Sequence, residues 1–322
     1  MSSFGVGRVS SLFVYPMSFD EFLTATGQEG LLRTKRNSSS TNPLPEAFYN
    51  RLVEAFRSYM LVGGMPEVVA TYTETGSYRY SSDIVNEIIQ GYQDDFAKYG
   101  AKANPLLLRQ TLISVAHQAG AKFVYSRVEG QYRSAEVKVA LEMLKDAGLI
   151  IPTYHTDANG VPLGAEINER VVKYLIHDTG VLLGILGIDD DIDDSIKEMM
   201  VADSINLVDK GHVAEMMAGL ELIKYSSPQK RHQLYYWQNM NKGTCAEVDY
   251  VIARSGSIVP IEVKSGVKGS MSSMYSLMRN PQKHIEMGIR CSLENFGTFE
   301  SPDGKKIDII PLYAISNLFA EK

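Results

Sequence analysis

Apolar residues recur at helical spacing through the first hundred residues of the chain. From Pro45 to Val62 they follow an i, i+4 pattern that ends at Gly63-Gly64. Pro66 then opens a second helix, and a third is predicted from Asp83 to Tyr99. Aromatic and aliphatic stripes of this kind are typical of helices that pack against one another, so we expect them to form a core.

After residue 104 the pattern changes from helices to a pair of strands. Helices are predicted at 104–118 and 134–147, and strands at 149–154 and 171–176. Two helices followed by a hairpin resemble a winged helix, in which the 134–147 helix is the recognition helix.

The charge of this helix argues against a DNA contact. It carries Glu136, Glu142 and Asp146 against only Lys138 and Lys145, a balance that suits phosphate backbones poorly. A protein-contact or structural role is therefore the preferred interpretation. Nearby side chains of Lys122, Tyr132 and Arg133 keep the DNA-binding alternative open.

The last third begins with a helix and centres on an alternating hairpin. A helix from Gly211 to Lys224 carries Glu215 off its apolar stripe, and the aromatic strand Leu234–Trp237 follows. Strict alternation then runs from Glu247 to Lys264, interrupted only by Ser255-Gly256. A helix at Met274–Met287 and a strand at Ile307–Ile315 complete a predicted α/β unit.

The hairpin register follows from a two-residue turn at Ser255-Gly256. Counting back from Arg254 opposite Ser257 places Asp249 opposite Glu262 and Glu247 opposite Lys264. Directly opposed side chains share a face with Cβ atoms about 4.5–5.5 Å apart. Two carboxylates at that separation repel unless a cation or a proton lies between them.

Two interpretations of this carboxylate pair remain open. Hard cations such as Mg²⁺ take oxygen ligands, and a nearby Lys stabilises charge on a phosphate or orients the attacking water. Alternatively, the hairpin is exposed, its acidic groups are solvated, and Glu247 and Lys264 form a weak surface pair.

Composition narrows the class of protein. The chain has 322 residues, 44% of them hydrophobic, which is enough for sizeable cores and two or three domains. Its net charge of −6 argues against a generally basic protein that coats nucleic acid, but it does not exclude a local basic groove. Two cysteines without a C-x-x-C pair, no signal sequence and no membrane-length apolar run predict a cytoplasmic protein without membrane contact.

A helix bearing Glu215, strands bearing Asp249 and Glu262-Val-Lys264, and then a helix and a strand resemble the PD-(D/E)-x-K nuclease superfamily, over about residues 205–316. The resemblance implies that Asp249 and Glu262 bind Mg²⁺ or Mn²⁺ and that Glu215 assists. It also implies that Lys264 supports the attacking water and that the backbone carbonyl of Val263 is a further ligand.

A second resemblance begins near the N-terminus. The phrases Gly7-Arg8-Val9, Leu12 to Leu23, Gly63-Gly64-Met65-Pro66-Glu67 and Tyr174 to Gly180 are similar to a prokaryotic family of AAA-type ATPases. In that family the first phrases close the ATPase core, the Gly-Gly-x-Pro-Glu stretch lies in the helical lid, and a nuclease-like domain of unknown function ends the chain.

One departure from this family concerns ATP. Its members begin with a P-loop, and the chain has no G-x-x-x-x-G-K-[ST] motif. The sequence is therefore expected to be the C-terminal portion of such a protein. ATP would be a cofactor only of a full-length parent, and this chain is not expected to hydrolyse it.

The pattern of helices and strands, together with the two resemblances, divides the chain into four regions. These are the end of an ATPase core at 1–44, a helical lid at 45–99, a winged-helix-like domain at 100–178 and a nuclease-like α/β domain with a mixed sheet at 179–322. The expected function is Mg²⁺-dependent phosphodiester hydrolysis at Asp249, Glu262, Lys264 and Glu215. One alternative is an inactive interaction or oligomerisation module of an ATPase, and another is a winged-helix DNA-binding regulator. The corresponding partners are DNA, the missing ATPase domain, or homologous subunits in a homo-oligomer.

Overall fold

The computed structural model describes residues 10–98, 104–187, 210–239, 246–266 and 269–319. The fold is α/β, as predicted, with two mixed β-sheets of four and five strands. Of the phrases that carry the ATPase resemblance, Gly7 to Val9 lie outside these residues. Within them, no helix is long and apolar enough to cross a membrane.

Five helices form the N-terminal part. They are α1 (Phe19–Ala25), α2 (Glu29–Arg36), α3 (Glu46–Val62), α4 (Pro66–Thr75) and α5 (Tyr78–Lys98). Helix α1 starts at a capping box in which the Ser18 side chain accepts from the Glu21 N–H and the Glu21 carboxylate accepts from the Ser18 N–H. The predicted apolar stripe of α3 is only partly buried, because Phe48 is 38% exposed whereas Leu52 and Phe56 lie in the core.

The Gly63-Gly64 pair is explained by two close approaches. Gly63 has φ +78°, and a Cβ on it would lie 2.2 Å from Asp178 Oδ1. A Cβ on Gly64 would lie 2.2 Å from the Met17 carbonyl oxygen. Asp178 accepts hydrogen bonds from the Gly64 N–H at 2.7 Å and from the Val181 N–H at 3.1 Å. Three phrases that are far apart in the sequence therefore meet at one point.

Two buried ionic groups attach helix α1 to the C-terminal part. Lys35 is fully buried and donates to Asp20, and also to the Ser316 hydroxyl at 2.6 Å. Glu221 is 2% exposed and accepts from the Phe19 N–H and the Tyr59 hydroxyl. Because buried charges are costly unless they are paired, these contacts fix the position of the N-terminal helices.

The middle of the chain supplies two strands of the four-stranded sheet. The helices and strands of this part are α6 (Pro105–His117), α7 (Ser134–Asp146), β1 (Ile150–Thr156), β2 (Ile167–Ile176) and α8 (Thr179–Ile185). Strands β1 and β2 pair antiparallel, as predicted. Strand β3 (Leu234–Gln238) adds in parallel to β1, and β4 (Glu247–Val248) adds antiparallel to β3, in the order β2-β1-β3-β4. This sheet crosses the boundary that was predicted after residue 178.

The five-stranded sheet has the order β5-β6-β7-β9-β8. Its strands are β5 (Tyr250–Arg254), β6 (Ser257–Val263), β7 (Met287–Ser292), β8 (Gly297–Glu300) and β9 (Lys306–Pro311). Helix α9 (Lys210–Lys224) precedes β3, and α10 (Ser272–Arg279) connects β6 to β7. Short 3-10 helices lie at Tyr125–Arg127, Leu163–Glu166, Pro281–Lys283 and Leu312–Leu318.

Two sequence predictions in this region were wrong. The predicted helix Met274–Met287 ends at Arg279, because Pro281 cannot continue it and Met287 begins a strand. The predicted strand Ile307–Ile315 ends at Pro311, after which the chain turns into a 3-10 helix. Strands β7 and β8 were not predicted, and β7 lies at the centre of the sheet.

Candidate metal centre

The hairpin has the predicted register. Ser255 and Gly256 both have positive φ, at 49° and 78°, as a type I′ turn requires. Arg254 pairs with Ser257 and Tyr250 with Ile261. The first strand of this hairpin begins at Tyr250, one residue after Asp249.

Asp249 lies where the chain passes from one sheet to the other. Glu247 and Val248 pair with β3 in the four-stranded sheet, and Tyr250 begins β5 in the five-stranded sheet. The Asp249 carboxylate faces β6 and accepts from the Val263 N–H at 2.7 Å. The predicted proximity of Asp249 to the Glu262-Val263 segment is therefore observed.

The predicted pairing of Glu247 with Lys264 was wrong. Because the strand changes sheets at Asp249, Glu247 pairs with Gln238 of β3 rather than with β6. Its carboxylate accepts from Lys173 of β2 at 2.5 Å. Lys264 instead donates to Glu262 Oε1 at 2.7 Å, and its side chain is 21% exposed.

Glu215 reaches the same place from helix α9. It is buried, and its Oε1 accepts from Lys173 Nζ at 2.9 Å. Carboxylate oxygens of Glu215, Glu247 and Asp249 lie within 4.8 Å of one another. We call these three residues, which come from α9, β4 and the switch between the sheets, the acidic cluster.

Helix α9 is held against the hairpin by a close contact. The Tyr250 hydroxyl donates to the backbone carbonyl of Glu215 at 2.8 Å. A Cβ on Gly219 would lie 2.3 Å from that hydroxyl oxygen and 2.7 Å from Leu175 Cδ1. The absence of a side chain at Gly219 therefore lets the helix bring Glu215 to the cluster.

Burial dominates the ionisation of these groups. It raises the pKa of Glu215 to about 8, with a further increase from Asp249, although Lys173 opposes the shift. Burial and the charge of Asp249 raise the pKa of Glu262 to about 7. Burial also raises the pKa of Asp249, against the hydrogen bond from Val263. A cation among these oxygens therefore stabilises the ionised form of the cluster, because it lowers the repulsion between the carboxylates.

Lys173 is the cation that the structure places there. Burial alone would lower the pKa of its ammonium, but Glu215 and Glu247 raise it. Its Nζ also lies 4.9 Å from the centroid of the Tyr236 ring. Sequence analysis missed Lys173, although one lysine within Val171-Val-Lys-Tyr-Leu-Ile176 is a signal of a buried charge that needs a partner.

The donor set fits a hard divalent ion. All three cluster residues offer carboxylate oxygens, the ligand type that Mg²⁺ and Mn²⁺ prefer. Among the described residues, buried Glu262 Oε2 has no hydrogen-bond partner. The observed cluster contains two of the predicted ligands, Asp249 and Glu215, and adds Glu247. Ligation by Glu262 and by the Val263 carbonyl stays a prediction.

Two family matches cover most of the chain. Residues 53–192 match a domain of unknown function, DUF8612, and residues 210–315 match another, DUF4143. DUF4143 is often found at the C-termini of AAA-ATPase-associated proteins. No curated protein and no solved structure matches the chain. The second match includes the whole acidic cluster, Glu262 and Lys264.

Proposed function

We propose that the acidic cluster binds Mg²⁺ or Mn²⁺ and that the site hydrolyses phosphodiester bonds. The observation that carries this proposal is the convergence of Glu215, Glu247 and Asp249 beside Glu262 and Lys264. Three carboxylates within 4.8 Å of one another repel in a half-buried place, and the single ammonium of Lys173 compensates only part of their charge.

Each side chain has a role that follows from its surroundings. Asp249 is held by the Val263 N–H, so its free carboxylate oxygen keeps a fixed direction toward the ion. Glu215 and Glu247 would complete the anionic ligand set, and the unpartnered Oε2 of Glu262 is available as a further acceptor. A bound divalent ion would polarise a phosphate and lower the pKa of a water molecule.

We assign contact with the substrate to Lys264. Its side chain is partly exposed, and its ammonium is held by Glu262, near the end of β6. An ammonium at this position stabilises negative charge on a phosphate oxygen and orients the attacking water. The substrate class that this chemistry fits is DNA or RNA.

A cleavage assay tests the proposal. Purified protein is incubated with plasmid and with single-stranded DNA and RNA, in Mg²⁺, in Mn²⁺ and in EDTA. We expect metal-dependent cleavage that falls at least about 100-fold in Asp249→Asn, since about 2.7 kcal/mol of transition-state stabilisation corresponds to that factor. Asp303→Asn removes an exposed carboxylate that is bonded to Arg279 and should cleave like the wild type. Equal cleavage by Asp249→Asn, or none by the wild type, contradicts the proposal.

A second candidate function is an interaction module without catalysis. The observation that favours it is Lys173, which already neutralises part of the cluster. The ammonium of Lys283 is also engaged within the protein, because it donates to the Asp157 carbonyl and to Asn159 Oδ1. If no cleavage occurs, we expect a mass measurement in solution to show self-association, or binding to a separate ATPase domain.

The relation to ATPases also belongs to the proposal. The DUF4143 match is compatible with a relation to AAA-ATPase-associated proteins. We expect this chain to show no ATPase activity, and phosphate release above that of a buffer control would refute that expectation.

Binding of DNA by helix α7 remains a third alternative. Salt-dependent binding of DNA that is lost in Arg133→Ala would support it.

A further inference from the structure

The ammonium of Lys173 lies among the oxygens that a metal would need. Its side chain is 2% exposed, and its Nζ is 2.9 Å from Glu215 Oε1 and 2.5 Å from Glu247 Oε1. A divalent ion of the Mg²⁺ or Ca²⁺ type lies about 2.0–2.6 Å from its carboxylate ligands. Two cations bridging the same pair of carboxylates would repel each other strongly, because burial weakens solvent screening.

Lys173 comes from a different part of the fold than the residues around it. It lies on β2, at the outer edge of the four-stranded sheet, whereas Glu262 and Lys264 belong to the five-stranded sheet region. Tyr236 of β3 stabilises the ammonium from one side. The lysine is therefore supplied to the cluster by the middle of the chain and held there by an aromatic ring.

We propose that Lys173 is a tethered cation that occupies the metal position in the resting protein, and that a divalent ion binds by displacing it. This inference rests on the proposed function only in taking the cluster to be a cation site. The unpartnered Oε2 of Glu262, whose side chain is 6% exposed, is an independent sign that the region accommodates a further ligand. Metal occupancy would then depend on the pairing of β1 with β3, the two strands that lie between β2 and β4 in the sheet.

Binding of Mn²⁺ to purified protein, followed by electron paramagnetic resonance, tests this competition without any activity measurement. In the wild type, a metal ion would bind only by breaking the two charge-assisted hydrogen bonds of Lys173. The variant Lys173→Met should therefore bind Mn²⁺ at least about tenfold more tightly than the wild type. Lys305→Met is the matched control, because the ammonium of Lys305 donates to the carbonyls of Met278 and Ile285 and not to a residue of the cluster. Its Mn²⁺ affinity should equal that of the wild type.

Thermal unfolding of the same variants gives a second readout. Without metal, Lys173→Met leaves Glu215 and Glu247 without their cation and should melt below the wild type. Mn²⁺ should restore its stability much more than it raises that of the wild type. Equal Mn²⁺ affinity in the two proteins would overturn the inference. A folded Lys173→Met variant that binds no Mn²⁺ would overturn it too, together with the metal site itself.

If Lys173→Met does not fold, crystals of the wild type soaked in Mn²⁺ decide the matter. An anomalous peak between the carboxylates with Nζ withdrawn from Glu215 and Glu247 supports displacement. A peak with both hydrogen bonds intact, or no peak, refutes it. Tight Mn²⁺ binding without nucleic-acid cleavage would leave this inference standing while the proposed nuclease function fails.

Discussion

The contact between Gly219 and Tyr250 predicts that a glycine-to-alanine substitution lowers the stability of the protein at Gly219, whereas the same substitution at Gly91 raises it. Gly219→Ala puts a methyl group 2.3 Å from the Tyr250 hydroxyl oxygen and 2.7 Å from Leu175 Cδ1. Over-packing of a well-filled core costs about 1–3 kcal/mol. The gain in helix propensity from glycine to alanine offsets about 0.5–1 kcal/mol of that. The difference between these ranges is at most about 2.5 kcal/mol, and we expect a net destabilisation of about 1–2 kcal/mol because both contacts are shorter than 3.0 Å.

Gly91 supplies the control. It lies in the interior of helix α5, is exposed, and a Cβ on it would have no neighbour within 4 Å. Gly91→Ala should therefore stabilise the protein by about 0.5–1 kcal/mol through helix propensity alone. Both free energies are measured by urea unfolding followed by circular dichroism, with the slope of the transition checked for equality.

A double mutant isolates the clash. Tyr250→Phe removes the hydroxyl and its hydrogen bond to the Glu215 carbonyl, at a cost of about 0.5–1.5 kcal/mol. If the hydroxyl is the main obstacle, the double mutant Gly219→Ala/Tyr250→Phe will be more stable than the sum of the single effects predicts, by at least about 0.5 kcal/mol. A Gly219→Ala variant as stable as Gly91→Ala would refute the close contact and, with it, the placement of helix α9 against the hairpin.

Three further predictions concern buried polar groups. Asp178→Ala should destabilise the protein by about 2–4 kcal/mol in urea unfolding, because it removes a helix cap and leaves the Gly64 N–H without its acceptor. Lys35→Met should cost about 3–5 kcal/mol in the same assay by leaving Asp20 incompletely paired, and a cost below 1 kcal/mol would contradict the buried pair. The pKa of Glu215 is raised from 4.5 to about 8, so the folded state binds more protons than the unfolded state between these values. Stability should therefore fall as the pH rises from about 4.5 to 8, and Glu215→Gln should flatten that part of a stability–pH curve.

The sequence was a good guide where a local pattern decides the structure. The Ser255-Gly256 turn fixed the register of five residue pairs, because both residues adopt the left-handed conformation that a two-residue hairpin needs. The capping box at Ser18 and Glu21 and the end of α3 at Gly63 are local in the same sense. These features depend on residues within a few positions of one another.

The features that were not predicted from the sequence depend on contacts between distant parts of the chain. Strand β7 was overlooked because it is parallel to both of its neighbours and almost wholly buried, so its sequence lacks the alternation that marks a half-buried strand. The change of sheets at Asp249 cannot be inferred from a period-2 pattern, since the alternation continues across it. Lys173 is 42 residues from Glu215 and 74 from Glu247. Its contact with Glu247 depends on the parallel pairing of β1 with β3, which joins β2 and β4 in one sheet.

That parallel pairing also sets an order in time. Strand β1 pairs with β2 on one side and with β3 on the other. Strand β3 begins 78 residues after the end of β1 (234 − 156). While the chain is being synthesised at about 5–20 residues per second, the open edge of β1 is exposed for several seconds. An unpaired edge is a template for association with other chains. A ribosome-bound chain halted before residue 234 would therefore be more prone to aggregate than one halted after β4, and the step that seals this edge is the same step that delivers Glu247 to Lys173.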